Sequence, residues 1–152
     1  MAGASFKMDM GPLAGVCRRA VGKIRDLQNA AEEVGEALVS SARERFETGE
    51  SPSGEKWKES ERVKKKGGTT LRDKSHLYNS IGYKASPNMV AVGAPKPSAG
   101  SPVEYAAIHQ FGGETGRNHS VDMPARPYIG ISEADIEEAR AILLDHIKEA
   151  FS

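Results

Sequence analysis

The fold of this chain is decided by residues 104–132, which read EYAAIHQFGGETGRNHSVDMPARPYIGIS. Tyr105, Ile108 and Phe111 follow one another at intervals of three residues, a spacing that puts side chains on one face of a helix. Gly112-Gly113 comes next, and glycine readily adopts the left-handed conformation that ends a helix. The stretch therefore begins with a short amphipathic helix, and we expect its apolar face to pack on the core.

The remainder of this stretch predicts a loop, an extended segment and a strand. Residues 114–120 contain no apolar side chain, which is typical of an exposed loop. Pro124 and Pro127 bracket Arg126, and each proline pushes the residue before it toward extended geometry. The run from Tyr128 to Ile131 that follows is predicted to be a strand.

Two blocks within this stretch carry a resemblance to a known family. Residues 105–112 read YAAIHQFG, and residues 124–128 read PARPY. They resemble the Tyr-Ala-x-Ile-His-Gln-x-Gly and Pro-Ala-Arg-Pro-aromatic blocks of the phage virion morphogenesis family, the Mu-like tail-completion proteins. The likeness continues upstream through residues 52–57, 71–73, 77–81 and 90–93, although Lys74-Ser75 stands where the family usually has Thr-Gly. Several blocks in one order are more specific than any single block.

The resemblance implies a structural protein of the phage virion. Such a protein completes or terminates the tail tube and supports head–tail joining, and it resides in the tail or neck after assembly in the host cytoplasm. The implied partners are further copies of the chain, in a homo-oligomeric, hexameric ring, together with the tail tube protein and a neck or head-completion protein. A neck or head-completion connector is the alternative role. A nucleic-acid-binding module and an amidase-like or nuclease-like enzyme are the competing hypotheses.

Residues of these blocks are the candidates for function. We expect assembly contacts at Tyr105, His109, Gln110, Gly112, Gly113, Pro124, Arg126 and Pro127. We expect structural anchors at Trp57, Leu71, Leu77, Phe111 and Tyr128. Arg126 lies between two prolines that hold it at little entropic cost, which suits a bidentate salt bridge. A bridge to Glu104 or Asp122 in the same chain and a bridge to a neighbouring subunit are both consistent with the sequence.

Composition indicates a single domain and limits the classes of function. The 152 residues are 38% hydrophobic and 28% charged, which is ordinary for a globular protein. Lys plus Arg equals Asp plus Glu at 21 each, so strong nucleic-acid binding would need a local patch such as Lys64–Lys66 with Arg117. The single Cys17 excludes an intrachain disulfide and a cysteine zinc cluster within one chain. No apolar run approaches the roughly 20 residues that span a bilayer, so we expect no membrane association.

The sequence carries no enzyme signature. Its histidines do not form HExxH or a pair at helical spacing, so no metal site is expected, and His109 is predicted to hydrogen-bond a loop. Neither Gly-x-Ser-x-Gly nor a phosphate-binding loop motif occurs. We therefore expect no catalytic activity and no cofactor.

The N-terminal part of the chain predicts one long helix. Residues 1–11 are expected to form a flexible arm, and residues 12–152 the tail-completion domain. Apolar residues recur at spacings of three and four up to Phe46, which predicts an unbroken helix from near Leu13, roughly 50 Å long. Gly22 and Gly35 are equally consistent with a kink and with close approach of another backbone.

The middle of the chain predicts loops and a β-hairpin. Lys64–Lys66, followed by two glycines, is typical of a mobile basic loop. Ser75 or Asp73 is expected to cap a short helix. Residues 81–92 predict a hairpin that turns at Pro87-Asn88, and residues 93–102 predict an exposed loop.

The C-terminal segment predicts a second long helix. Ser132 and Asp135 form a start resembling a capping box. The apolar stripe that follows consists of Ile136, Ala139, Leu143 and Ile147, and the helix reaches Phe151. Together these elements predict an α+β fold, with a long N-terminal helix and a C-terminal helix packed on a small, mainly antiparallel β-sheet.

Overall fold

The fold is built along helix α1, which spans Gly11–Thr48 in the computed structural model. The structure describes residues 11–72, 75–93 and 103–151. The predicted long helix is confirmed. At Gly35 there is no room for a Cβ atom because the ring of Tyr83 lies against the helix, whereas Gly22 has open space around it. Gly35 therefore serves close packing, although against a side chain rather than a backbone.

The other elements confirm the α+β class. In chain order they are α2 (Glu61–Lys66), α3 (His76–Ser80), β1 (Gly82–Ser86), β2 (Met89–Gly93), α4 (Val103–Phe111), β3 (Gly113–Thr115), a 3-10 turn (Arg117–His119), β4 (Val121–Met123) and α5 (Glu133–Phe151). Within the described ranges the strands form two separate antiparallel ribbons, β1–β2 and β3–β4, rather than one sheet. No helix in these ranges is long and apolar enough to cross a membrane.

The first ribbon is the predicted hairpin. Strands β1 and β2 pair from Gly82↔Gly93 to Ser86↔Met89, and Pro87-Asn88 makes the turn. The ribbon lies along α1, where Arg43 donates a hydrogen bond to the carbonyl of Ile81. Further toward the helix start, Gln28 donates one to the carbonyl of Ala85. The ribbon therefore runs along α1 toward the helix start, with Ala85 beside Gln28.

The second ribbon occupies a segment that was predicted to be a loop. Strand β3 pairs with β4 from Gly113↔Met123 to Thr115↔Val121, so the prediction of a loop over residues 114–120 is wrong at its first end. The strand predicted at Tyr128 to Ile131 is also wrong, because that segment bends at Ile129 and Gly130 and pairs with no strand among the described residues. Its backbone groups are taken by side chains, as described below.

Two shorter expectations also need correction. Lys64–Lys66 belong to helix α2, whose N-cap Ser60 accepts a hydrogen bond from the amide of Val63 at 3.3 Å, so the basic loop is wrong. Ser75 stands before α3 in left-handed geometry and makes no side-chain capping bond. Asp73, the N-terminal arm over residues 1–10 and the loop over residues 94–102 lie outside the described residues.

The core is centred on Phe46, which is fully buried on α1. The rings of Trp57, Tyr78 and Tyr128 meet it edge-on, with centroids 5.7, 5.8 and 5.3 Å away. Leu77 is buried in the same cluster, and Leu71 is partly buried against it. Phe111 is 79% exposed, so its expected role as a core anchor is wrong. It is the last residue of α4, where the helix has already turned this side chain away from the core.

Helix α5 packs antiparallel on α1. Asp135 at its start bonds Arg45, and His146 near its end bonds Glu33 at 2.7 Å. The predicted capping box is confirmed: the Ser132 amide donates to the Asp135 carboxylate at 2.8 Å, and the Asp135 amide donates to the Ser132 hydroxyl at 3.1 Å.

The predicted core stripe of α5 is displaced by one position. The buried and half-buried residues of this helix include Asp135, Ala139, Ile142 and His146. Ile136, Leu143 and Ile147, which were expected to face the core, are instead exposed. The physical reason is that the carboxylate of Asp135 has a buried arginine partner, so this polar position turns inward and rotates the apolar positions out.

Candidate assembly site

A single glutamine side chain holds the extended segment that follows β4. The Oε1 atom of Gln110 accepts hydrogen bonds from the amides of Tyr128 and Ile129, each at 3.0 Å. Its Nε2 atom donates to the carbonyl of Ile129 at 2.8 Å. The amide thus satisfies three backbone groups that a neighbouring strand would otherwise pair. Gln110 is therefore a clamp between α4 and the segment over residues 124–130.

Arg126 is buried at the same contact between α4 and residues 124–130, which we call the junction. It is only 4% exposed, its amide donates to the carbonyl of His109 at 2.7 Å, and its Nε atom donates to the carbonyl of Lys58 at 2.7 Å. Asp122 is exposed on β4, and the side chain of Glu104 lies outside the described residues. The sequence left open a bridge from Arg126 to a neighbouring subunit, but this side chain is buried within its own chain and does not face a neighbour. Its described side-chain partner is a carbonyl rather than a carboxylate.

Aromatic side chains close the junction from the core side. The indole of Trp57 donates from Nε1 to the carbonyl of Pro127 at 2.9 Å. The hydroxyl of Tyr128 donates to the carbonyl of Ala106 at 3.1 Å, and burial raises the pKa of this tyrosine to about 12. Both rings therefore fill the core and also satisfy backbone groups of the segments they join.

Gly112 is needed where α4 meets the extended segment. Its φ is +71°, and a Cβ atom there would lie 2.7 Å from the amide nitrogen of Ala125 and 2.8 Å from the carbonyl oxygen of Met123. Its own amide donates to the carbonyl of Ile108 at 2.8 Å and caps the helix. A side chain at this position would push the two segments apart.

Arg45 is a further member of the junction that the sequence did not reveal. From α1 it donates to the carbonyls of Tyr128 and Gly130, each at 3.1 Å, and to the carboxylate of Asp135 at 2.6 Å. Burial raises the pKa of Asp135, but hydrogen bonds from Ser132 and Ser41 and the charge of Arg45 outweigh it and lower that pKa overall. Phe46 belongs to the predicted core-facing stripe of α1, and Arg45 directly precedes it. This position beside the stripe was the signal in the sequence for the burial of Arg45.

His109 contributes its backbone to the junction through the bond from Arg126. Burial and then the nearby positive charge of Arg126 lower the pKa of its imidazole, so the ring is neutral at neutral pH. Within the described parts of the chain, no three of the His, Cys, Asp and Glu residues gather as a metal site would require. Tyr105 lies in α4, but its side chain is outside the described residues.

The structure brings together most of the residues predicted for assembly, but inside the molecule. Gln110, Gly112, Arg126 and Pro127 join α4 to the core, and their described contacts are internal. Their effect is to fix the β3–β4 ribbon, which begins at Gly113 and ends just before Pro124.

The ribbon itself is a surface. Over residues 113–123 every side-chain position is exposed except the half-buried Thr115 and Met123. Exposed apolar residues flank or belong to it, namely Phe111 and Val121. The junction thus positions a solvent-facing ribbon.

Comparison with known proteins identifies the relatives of this chain. Residues 8–148 match the model of the phage virion morphogenesis family. Mu-like prophage FluMu G protein 2 of Haemophilus influenzae is 35% identical over 114 residues, which cover 75% of this chain and 70% of that protein. Mu-like prophage FluMu G protein 1 of the same organism is 26% identical over 136 residues, 84% of each chain. No solved structure matches.

Proposed function

The chain belongs to the phage virion morphogenesis family, and we propose that it completes the tail tube by closing its end as a ring and so supports head–tail joining. The membership itself gives a structural role in building the phage particle. It also argues against catalysis as the task of this chain.

The observation that carries the proposal is an apolar surface on α5 that is exposed in the described part of the chain. Ile136, Leu143, Leu144 and Ile147 are each 38–48% exposed on one long helix. Positions 136, 143 and 147 recur at spacings of seven and four, so they form one stripe along the helix. A stripe of this kind on a small protein is typical of a protein–protein contact.

The symmetry of a tail tube supports a ring as the functional form. A tube has rotational symmetry, and a protein at its end makes identical contacts on every subunit only when its copies close around the same axis. A closed ring requires one face of a subunit to fit a different face of the next. We propose six subunits, assembling on the tube end in the phage-producing cell.

The β3–β4 ribbon is the surface that we propose for the tube or neck partner. It is anchored through Gln110 and Arg126, so it presents Phe111 and Val121 in a defined orientation. Preorganised apolar side chains bind at a lower entropic cost than side chains on mobile loops. The buried junction and the exposed ribbon thus divide the positioning and the contact between them.

Electron microscopy of the protein mixed with purified tail tubes tests the proposal. We expect ring-shaped density at one end of each tube. Density along the tube wall, or none at a tube end, would contradict tube completion. Density on isolated necks or head connectors but not on tubes would favour the alternative role of a neck or head-completion connector.

Phe111→Ala distinguishes the ribbon from the rest of the surface. We expect this variant to fold normally, because the phenyl side chain that it removes is exposed, and to lose binding to the tube end. Val90→Ala, on the half-buried β1–β2 ribbon, is the matched control and should keep end binding. End binding by Phe111→Ala at the wild-type level would exclude Phe111 from the contact.

A further inference from the structure

We propose that the projecting half of α1, residues 11–27, docks along the outer stripe of α5 in a second copy of this chain. The outer stripe is Ile136, Leu143, Leu144 and Ile147. The inference rests on the proposed ring and names the two faces that form its subunit contact.

The register between α1 and α5 gives the length of α1 that projects past the end of α5. Arg45 lies opposite Asp135, and Glu33 lies opposite His146, so the two helices run antiparallel in step. Continuing that register puts the end of α5 at Phe151 opposite about residue 28. The bond from Gln28 to the carbonyl of Ala85 places β1 beside α1 at the same level, two residues before the hairpin turn. The projecting half therefore extends about 25 Å past the end of α5, at 1.5 Å per residue.

The projecting half lies outside the core. The side chains described between Gly15 and Asn29 are half-buried or exposed, and the first buried position of α1 among the described side chains is Ala30. Val21 is 60% exposed and Leu27 is 40% exposed. The core therefore begins where the projecting half ends.

The projecting half has a composition that gives a helix little stability without a packing partner. In proteins, most of the stability of a helix comes from packing of one face rather than from helix propensity. The projecting half includes three glycines, Gly11, Gly15 and Gly22, and glycine disfavours helix by about 1 kcal/mol relative to alanine. Packing against another surface is the usual source of stability for such a segment.

The net charges of the two helices favour α5 as the surface on which the projecting half docks. The projecting half has four basic residues and one acidic residue, a net charge of +3; they are Arg18, Arg19, Lys23, Arg25 and Asp26. Leaving aside the buried Asp135, helix α5 has five acidic and two basic residues, a net charge of −3; they are Glu133, Glu137, Glu138, Asp145, Glu149, Arg140 and Lys148. Opposite charges favour docking of one onto the other. Pairing of two projecting halves would bring like charges together.

The contact is heterologous because the projecting half and the outer stripe are different surfaces. Each copy then offers one surface of each kind, so copies join head to tail and can close into a ring. The apolar side chains of the stripe supply buried area, and the flanking charges set the direction.

Cross-linking through the natural Cys17 tests this arrangement. Cys17 lies in the projecting half and is the one cysteine of the chain. In a Leu144→Cys variant, the new thiol lies opposite about residue 35, some 27 Å along α1 from Cys17 of the same chain. A short bismaleimide linker therefore cannot join the two within one subunit, and any product that links Cys17 to the thiol introduced at position 144 is intermolecular.

We expect Leu144→Cys to give a ladder of covalent oligomers that ends at the closed ring, with and without tail tubes at high protein concentration. Glu138→Cys, on the other side of α5, is the matched control and should give at most a background dimer. Combining Leu144→Cys with Cys17→Ser should abolish the ladder. Equal yields from the two introduced-cysteine positions would overturn the proposal, as would cross-links from Cys17 to the tube protein instead of to another copy.

Charge reversal supplies an independent measurement. Arg18→Glu with Arg19→Glu should lower the ladder yield of Leu144→Cys about tenfold or more, because like charges then face each other. Adding Glu133→Lys with Glu137→Lys should restore it, and an unrestored yield would contradict the pairing. The outcomes separate the two proposals: a ladder without end binding refutes tube completion alone, whereas end binding without a ladder refutes the docking alone.

Discussion

Replacing Gln110 with alanine should loosen the whole junction between α4 and the extended segment. The wild-type side chain makes three hydrogen bonds of 2.8–3.0 Å to the backbone of residues 128 and 129. Gln110→Ala removes all three and leaves two amides and one carbonyl without a side-chain partner beside the core. At about 1 kcal/mol of net stability per bond, we expect a loss of about 3 kcal/mol in the free energy of unfolding.

Thermal and chemical unfolding measure this loss directly. For a domain of this size, 1 kcal/mol shifts the melting temperature by about 2–4 °C, so Gln110→Ala should melt about 6–12 °C lower. Native-state hydrogen exchange gives a local measurement, because the amides of Tyr128 and Ile129 lose their acceptor. Those two amides should exchange much faster, while amides in the middle of α1 follow only the global change.

Two variants sharpen the interpretation. Gln110→Glu keeps an acceptor for both amides but replaces the Nε2 donor, so it should be less destabilised than Gln110→Ala. Gln28→Ala is the matched control, because Gln28 is also a helical glutamine but donates to only one backbone carbonyl, that of Ala85 at 3.2 Å, and to the exposed Glu32 carboxylate at 2.7 Å. It should cost no more than about 1 kcal/mol. If Gln110→Ala melts within about 2 °C of wild type with unchanged protection at Tyr128 and Ile129, the clamp is not what holds the segment.

Further variants test other features of the fold. Trp57→Ala should cost about 3–5 kcal/mol in thermal melts, whereas Phe111→Ala should stay within about 0.5 kcal/mol; similar losses for the two would contradict their opposite burial. Gly112→Ala should cost about 1–3 kcal/mol in denaturant unfolding, because its φ is positive and its Cβ would meet backbone; wild-type stability would refute that packing. The folded-state pKa of Asp135 is lowered, so its contribution is fully present above about pH 4 and is lost as pH falls through the lowered value; the stability gap between wild type and Asp135→Asn should therefore shrink in acid, and a constant gap would speak against a charged role. Duplex DNA should bind no tighter than about micromolar at physiological salt in anisotropy titrations, and tighter binding abolished by Glu at Lys64–Lys66 would revive the nucleic-acid hypothesis.

The block residues by which the chain resembles its family have a physical account in the fold. Gln110 and Arg126 make their hydrogen bonds within one chain. Gly112 leaves room for the backbone of residues 123–125, which directly precede Arg126. A change at any of these positions would therefore act first on stability and on the orientation of the β3–β4 ribbon. Surface variants such as Phe111→Ala act on contacts alone.

Local sequence patterns were sufficient for the elements that depend on nearby residues. The period of α1, the turn at Pro87-Asn88 and the capping box of Ser132 with Asp135 each involve residues within a few positions of one another. Such elements are recognisable from their own residues because periodicity, turn residues and capping pairs are all short-range patterns. The fold class follows from the order of such elements.

Tertiary structure decided which faces those elements turn inward. The apolar residues of α5 predicted a core stripe, but Arg45, ninety positions away, pairs with Asp135 and rotates Ile136 toward solvent. Likewise, the run from Tyr128 lacks a strand partner because Gln110 takes its backbone hydrogen bonds. Both outcomes depend on a polar side chain that must be satisfied once it is buried, and its partner lies far away in the sequence. Periodicity records which residues are apolar, whereas the burial of Arg45, Asp135 and Arg126 depends on partners that only the folded chain brings together.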